Sequence, residues 1–146
     1  MGKYQLAVII FITTALTFVG LINIVEAQDS EKPKKITVTG SDDAPSKTYA
    51  AYANAVWEGN IEEFKKYVPS ENLKLMPEDK NEVVLGLEFV QDTMMTNMEI
   101  IKNTVSGNNA ELKIKGSRGI DKADGTVKMV LENGQWKVTE ESWKLK

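Results

Sequence analysis

The chain has 146 residues with 18 basic and 21 acidic side chains, a formal net charge of −3, and neither cysteine nor histidine. Without cysteine there is no disulfide, thiol nucleophile or lipidated cysteine, and without histidine the usual base of serine hydrolases and the main zinc and iron ligand are missing. The mild acidity argues against nucleic-acid binding, which usually requires a concentrated basic face. We therefore expect no metal, no cofactor and no nucleic-acid partner.

The amino terminus has the pattern of an exported protein. Lys3 precedes an uncharged run over residues 6–25, and a Val-x-Ala motif follows that ends at Ala27. This pattern predicts a signal peptide over residues 1–27 and a periplasmic or secreted protein. Because a run of about 20 apolar residues can also cross the hydrocarbon layer, an uncleaved inner-membrane anchor facing outward stays the alternative. Any membrane contact is expected through this leader alone.

A polar linker is predicted over residues 28–43, which are rich in charge, serine and proline, with a short strand inside it at residues 36–39. The first helix should begin at Pro45 behind Asp43 and end at Gly59, since glycine accepts the left-handed geometry of a helix end. Its apolar side chains recur at helical spacing. They are Tyr49, Tyr52, Ala53, Val56 and Trp57.

Two further capping patterns predict helices. Asn60 with Glu63 opens a helix that ends by Pro69, and Asp79 with Glu82 opens another. The apolar positions after Asp79 cover more than one helical face. They are Val83, Val84, Leu85, Leu87, Phe89, Val90, Met94 and Met95. A helix that is apolar around most of its circumference needs cover on several sides, so we expect it to lie in the crook of a curved sheet.

From Asn97 onward the apolar residues alternate with polar ones, which predicts a series of antiparallel strands. An Asn133-Gly134 pair marks the last tight hairpin. After it, Trp136 and Val138 occupy even positions, whereas Trp143 and Leu145 occupy odd ones. A single extra residue near Glu140 and Glu141 would return all four to one inward face, so we predict a β-bulge there.

Residues 44–146 thus predict an α+β domain in which amino-terminal helices pack against a bent antiparallel sheet. Residues 49–57, 58–64 and 133–138 resemble the nuclear-transport-factor-two-like (NTF2-like) superfamily, and this resemblance implies a cone-shaped, cystatin-like roll with the helices in the concave face of the sheet. More narrowly, they are similar to small exported, uncharacterised, lumazine-binding-like bacterial domains, in which Gly-x-Trp-Lys-Val closes the sheet. Members of the superfamily include isomerases, cyclases, dehydratases, binding domains and docking modules, so the fold alone does not select a function.

The resemblance makes one enzymatic reaction conceivable, which is proton transfer as in the ketosteroid-isomerase-like members. Such a reaction needs a carboxylate base in an apolar pocket and a second group that supports the enolate. Asp92 is the candidate base, because it lies on the helix face of Leu85 and Phe89, and Tyr52 is the candidate oxyanion donor. The favoured alternative is that Asp92 lies on the solvated side of the helix and that the protein is not an enzyme.

Four apolar residues are candidates for ligand binding, because cavities for small molecules are mostly apolar with a few polar groups. They are Tyr52, Trp57, Phe89 and Met94. The favoured alternative for each is a place in the core, which a domain near 100 residues without disulfides needs for its stability.

Three hypotheses follow for the function. The leading one is an exported, non-catalytic domain that binds a small molecule or a protein partner. The others are a dimerisation or interaction module that uses the outer face of the sheet, and the isomerase-like enzyme. A cavity with a buried Asp92 would favour the enzyme, a cavity without a buried acid the binding domain, and a filled cone with an apolar outer face the module.

Overall fold

The computed structural model describes residues 36–146, together with the backbone of a two-residue strand at Gln5–Leu6. The rest of the predicted signal peptide, and the predicted linker up to residue 35, lie outside the described residues. Within residues 36–146, no helix is both long and apolar enough to cross a membrane.

The described chain forms four helices and then a sheet of long strands. The helices are α1 (Ala44–Glu58), α2 (Ile61–Lys65), α3 (Ser70–Leu73) and α4 (Lys80–Thr93). The strands are β1 (Gln5–Leu6), β2 (Thr37–Thr39), β3 (Asn97–Ser106), β4 (Asn109–Arg118), β5 (Asp121–Glu132) and β6 (Gln135–Leu145). They pair in the order β1-β6-β5-β4-β3-β2, and all neighbours are antiparallel except β2 and β3. The predicted α+β class, with helices before a curled and unclosed sheet, is confirmed.

Helix α1 begins and ends where its sequence predicts. The Asp43 side chain accepts a hydrogen bond from the Ser46 backbone N–H at 2.9 Å, and Pro45 occupies the first turn, where its missing N–H costs no hydrogen bond. Gly59 ends the helix with φ of 66°, the left-handed conformation that a side chain would disfavour. These two ends set the rotation of the helix, so its apolar stripe faces the sheet.

That stripe fills the concave side of the sheet. Tyr49, Tyr52, Ala53 and Val56 are all buried. The Tyr52 ring lies 6.1 Å from the Tyr49 ring and 5.7 Å from the Phe64 ring of α2, measured between centroids. Opposite α1, the sheet contributes apolar inward side chains from successive strands. They include Met98, Ile100, Leu112, Ile114, Val127, Met129, Val138 and Trp143.

The expectation that α4 lies in the crook of the sheet, covered on several sides, is wrong. Its buried residues form one stripe, consisting of Val83, Leu87 and Gln91. The Gln91 side-chain amide donates to the Val56 carbonyl at 2.8 Å, which ties α4 to the flank of α1. Leu85 and Phe89 are instead 63% and 68% exposed. The crook is already occupied by α1, so α4 buries only one of its faces.

The other predicted helix starts and the last hairpin are confirmed. The Asn60 side chain accepts from the Glu63 N–H at 3.1 Å, and the side chain of Asp79 caps α4 through the Asn81 N–H at 2.8 Å. Asn133 and Gly134 both adopt positive φ, 51° and 79°, as a two-residue hairpin requires. Local sequence chemistry therefore specifies these boundaries.

The predicted β-bulge is present in β6. Lys128 pairs with Glu140 and Met129 with Val138, so Thr139 is the extra residue. Beyond it the strand turns its odd positions inward, which buries Glu141 and Trp143. Of the other residues predicted to share the inward face, Val138 is buried, Trp136 is half-buried, and Leu145 is 52% exposed at the strand end.

The outer face of β4, β5 and β6 is mostly polar. Its outward residues include Glu111, Lys113, Lys115, Asp124, Thr126, Lys128, Glu140 and Ser142. Several form ion pairs across or along the strands, such as Lys128 with Glu140 at 3.0 Å. These three strands therefore do not offer the apolar outer face that the interaction-module hypothesis requires.

Candidate functional site

A pocket of about 380 Å³ opens between the carboxyl end of α4 and the ends of β4, β5 and β6. Its apolar lining consists of Val90, Met94, Met95, Trp143 and Leu145. Its polar lining consists of Asp92, Thr93, Arg118, Asp121 and Glu141. An apolar wall with a few polar groups is the usual composition of a small-molecule site.

Glu141 is the buried acid of this pocket, with only 6% of its surface exposed. Its Oε1 accepts hydrogen bonds from the Tyr49 hydroxyl at 3.1 Å and from the Trp143 indole N–H at 2.6 Å. No described residue donates to Oε2, and Glu141 is one of the residues that line the pocket. Burial raises the pKa of Glu141 above its ordinary value of 4.5, while the bonds from Trp143 and Tyr49 act in the opposite direction.

Trp143 is held beside Glu141 by two glycines of the neighbouring strands. A Cβ added at Gly125 would lie 2.6 Å from the Trp143 ring, and one added at Gly116 would lie 2.8 Å from it. The ring therefore occupies space that any other residue at these positions would fill. Because the indole is placed in this way, its N–H reaches the Glu141 carboxyl and its ring forms part of the pocket wall.

On the opposite side of the pocket, Arg118 connects β4 to the end of α4. Its Nη1 donates to the carbonyls of Gln91 at 3.0 Å and Met94 at 3.4 Å, and also to the carbonyl of Asp92. The last carbonyls of a helix have no partner within it and carry partial negative charge, so a guanidinium is a favourable cap. This contact fixes the end of α4 relative to β4 and keeps the pocket mouth open between them.

Two buried tyrosines lie behind the carboxyl. Burial and the neighbouring Glu141 raise the pKa values of Tyr49 and Tyr52 well above 10.0, so both stay neutral. Tyr49 donates to Glu141, whereas the Tyr52 hydroxyl has no hydrogen-bond partner among the described residues. Tyr52 is not part of the pocket lining, so the predicted oxyanion donor lies in the core.

The predicted site residues are distributed over several environments. Asp92 is exposed at the pocket rim rather than buried, as the non-catalytic interpretation expects. Met94 lines the pocket, but Trp57 is buried in the core and Phe89 projects from the outer side of α4. Of the four ligand-binding candidates, the structure thus brings only Met94 to the pocket. Phe89 is displaced from it because α4 does not occupy the crook of the sheet.

Glu141 was not among the candidates from sequence, although a signal for it exists. It lies two positions before Trp143 on the same strand face, beyond the predicted bulge. Any residue two positions from a buried tryptophan faces inward with it. Among the described residues, no group of three or more acidic side chains is placed to hold a metal ion.

No protein-family model matches the chain, and no curated protein matches it significantly. Among solved structures, it is similar to an NTF-2-like protein of unknown function from Silicibacter pomeroyi DSS-3, with a TM-score of 0.50 and 15% identity over 70% of this chain and 93% of that one. It is also similar to an NTF2-like protein of unknown function from Shewanella baltica OS155, with a TM-score of 0.47 and 15% identity over 70% and 91% of the chains. The chain therefore has the NTF2-like fold, as predicted. The lumazine-binding-like resemblance stays a prediction.

Proposed function

We propose that the chain is an exported, non-catalytic domain that binds a small molecule in the pocket beside Glu141. The observation that carries the proposal is a largely apolar pocket of about 380 Å³ with a few fixed polar groups on its wall, at which Asp92, the acid whose burial would favour the enzyme, is exposed. Small-molecule sites are typically about 300–1,000 Å³, with apolar walls for affinity and a few fixed polar groups for orientation. The pocket has this size and this composition.

The polar anchor is held in place before any ligand arrives. Tyr49 and Trp143 fix Oε1 of Glu141, and Gly116 and Gly125 provide the space for the indole. A preorganised group loses little conformational freedom on binding, so more of its interaction energy appears as affinity. Next to this rigid wall, Met94 and Met95 supply flexible thioether side chains that adapt to the ligand shape.

A steric block tests whether this pocket is the binding site. The protein is purified as the cells produce it, with or without the leader. Its melting temperature is then measured in the presence of each compound of a small-molecule library. A ligand at 100 times its dissociation constant should stabilise the fold by about 2.7 kcal/mol. Leu145→Trp should abolish the shift, because Leu145 lies at the pocket mouth and half of it is exposed. Lys144→Trp is the matched control, since Lys144 is the preceding residue and lies outside the pocket lining. If a ligand still raises the melting temperature of Leu145→Trp, its binding site lies outside this pocket.

Export is the second part of the proposal, and the leader pattern supports it. Strands β2–β6 and all four helices lie beyond Ala27, so cleavage there would leave this part of the fold intact. We expect the mature chain to begin at Gln28 and to be recovered from the periplasm or the medium. Amino-terminal sequencing decides this, and a full-length form that sediments with membranes would establish the anchored alternative.

A second candidate function is proton transfer, and the observation that favours it is the buried carboxyl of Glu141. Asp92 is exposed, whereas a carboxylate base of this kind needs to be buried among apolar groups, so Glu141 would take its place. The measurement is deuterium incorporation from solvent into the carbon next to the carbonyl group of a bound ketone, followed by NMR. Incorporation that Glu141→Gln abolishes would establish the enzyme; its absence with a bound ketone supports the non-catalytic domain.

A further inference from the structure

We propose that the ligand of this pocket is a small organic ammonium cation with an apolar body, an inference that rests on the pocket being a binding site. The ammonium group would contact Oε2 of Glu141, and the apolar body would lie against Trp143, Met94 and Met95.

The first observation is the lack of a counter-charge at Glu141. Only 6% of the Glu141 surface is exposed, and neither of the two donors to its carboxyl, Tyr49 and Trp143, carries a charge. In the described part of the chain, the ion pairs involve other acidic residues. An ionised carboxylate that is removed from water without a cationic partner is strongly disfavoured. A bound ammonium group would supply the missing positive charge.

The second observation is the sign of the charge around the pocket. Among the described lining residues, the carboxyl groups of Asp121 and Glu141 form no ion pair with another described residue, and the one guanidinium is that of Arg118. The guanidinium is directed to the backbone carbonyls at the end of α4. A cleft with an excess of one charge attracts ligands of the opposite charge, so this pocket should favour a cation and disfavour an anion.

The third observation is the aromatic wall. The Trp143 indole lines the same pocket as the carboxyl, and its position is determined by the bond to Glu141 and by the glycines beneath it. Tryptophan is the aromatic side chain that attracts a cation most strongly over its ring face. A carboxylate beside an indole, within an otherwise apolar wall, is a combination suited to an ammonium group with apolar substituents.

The test compares three probes with the same apolar body and different charge, which are 2-phenylethylammonium, 2-phenylethanol and 3-phenylpropionate. Binding to the full chain is measured by isothermal titration calorimetry near pH 8. We expect the cation to bind at least about tenfold more tightly than the alcohol, because hydrogen bonds to charged groups are the stronger ones, and the anion to bind most weakly.

The decisive variant is Glu141→Gln, which keeps an oxygen acceptor for Tyr49 and Trp143 but removes the charge. It should reduce the affinity for the cation to that for the alcohol. Glu140→Gln is the matched control, because Glu140 is the neighbouring residue on the outer face, paired with Lys128. It should leave all three affinities unchanged. The indole NMR resonances of each variant establish that it is folded.

Lowering the pH provides a second readout. Since burial raises the pKa of Glu141, the carboxyl takes up a proton at a higher pH than an exposed glutamate does, and cation binding should weaken as it does so. Tyr49 and Tyr52 of α1 face this group and stay neutral, and Arg118 of β4 lines the same pocket. Asp92 of α4 and Asp121 of β5 also line the pocket, so the pH dependence that Glu141→Gln removes is the part due to Glu141.

Three results would overturn the inference. In the first, the alcohol and the cation bind with equal affinity and Leu145→Trp abolishes both. The pocket would then be a binding site that does not select for a positive charge. Cation binding that is unchanged in Glu141→Gln would show that the carboxyl is not the anchor. If none of the three probes binds, the inference of a cationic ligand is also contradicted. The wider screen with Leu145→Trp decides separately whether the pocket binds any small molecule.

Discussion

Replacing Gly125 by alanine is expected to destabilise the domain, because the added methyl group would collide with the Trp143 ring. Three ring atoms lie 2.6–2.8 Å from the position of the new Cβ, closer than real Cβ contacts. The ring cannot easily withdraw, since it also packs over Gly116, where an added Cβ would lie 2.8 Å from it, and its N–H is bonded to Glu141. Extra methylenes in a packed interior cost about 1–3 kcal/mol.

Part of this cost is offset, because alanine restricts the unfolded chain and so stabilises the fold by about 0.4–1 kcal/mol. The net loss should be about 1–2 kcal/mol. For a domain of roughly 100 residues, this corresponds to a fall in melting temperature of roughly 5–15 °C. Thermal unfolding followed by circular dichroism measures it directly.

Gly86→Ala is the matched control, because the same methyl group has no neighbour within 4 Å at that position of α4. Alanine in a helix interior is favoured over glycine by about 0.5–1 kcal/mol, so this variant should melt above wild type. Opposite signs for the two substitutions are the expected result. A Gly125→Ala variant as stable as Gly86→Ala would refute the packing of the Trp143 ring against Gly125 of β5.

Burial raises the pKa of Glu141 in the folded protein above its pKa in the unfolded chain. The free energy of unfolding of the wild type should therefore fall as pH rises through these two pKa values. Glu141→Gln should melt at a higher temperature than wild type at neutral pH and at the same temperature below pH 4.5. Asp92→Asn changes an exposed side chain and should alter the free energy of unfolding by no more than about 0.5 kcal/mol, as measured by urea unfolding. Trp136→Ala should cost somewhat less than the roughly 3–5 kcal/mol typical of a fully buried large aromatic, because Trp136 packs against the core but is partly exposed; equilibrium unfolding in urea measures it. Phe89→Ser should change the free energy of unfolding by no more than about 0.5 kcal/mol, since this ring is 68% exposed, and a larger loss in the same assay would contradict its placement.

Features that depend on neighbouring residues were predictable from the sequence. The Asp43 cap, the Gly59 helix end and the Asn133-Gly134 turn follow from local hydrogen bonding and from which residues accept positive φ. The bulge at Thr139 was also predictable from the sequence. Once Trp143 is assumed to point inward, the face of every second residue of the strand is known.

The position of α4 was not predictable in this way. Leu85 and Phe89 are as apolar as core residues, and only the prior occupation of the crook by α1 leaves them exposed. The pocket was not predictable from the sequence either. It exists because Gly116 and Gly125 give Trp143 its place, and close approach between distant strands does not appear in the pattern of any one strand.

The central claim is that Glu141 is a buried acid on the pocket wall, and an NMR pH titration of the Trp143 indole N–H tests it most directly. This N–H donates to Glu141 at 2.6 Å, so its resonance reports the charge of the carboxyl. We predict a shift with a midpoint above 4.5, which is absent in Glu141→Gln and in the Trp136 indole of the same sample. A midpoint at or below 4.5, or a Trp143 resonance that does not titrate, would contradict the claim.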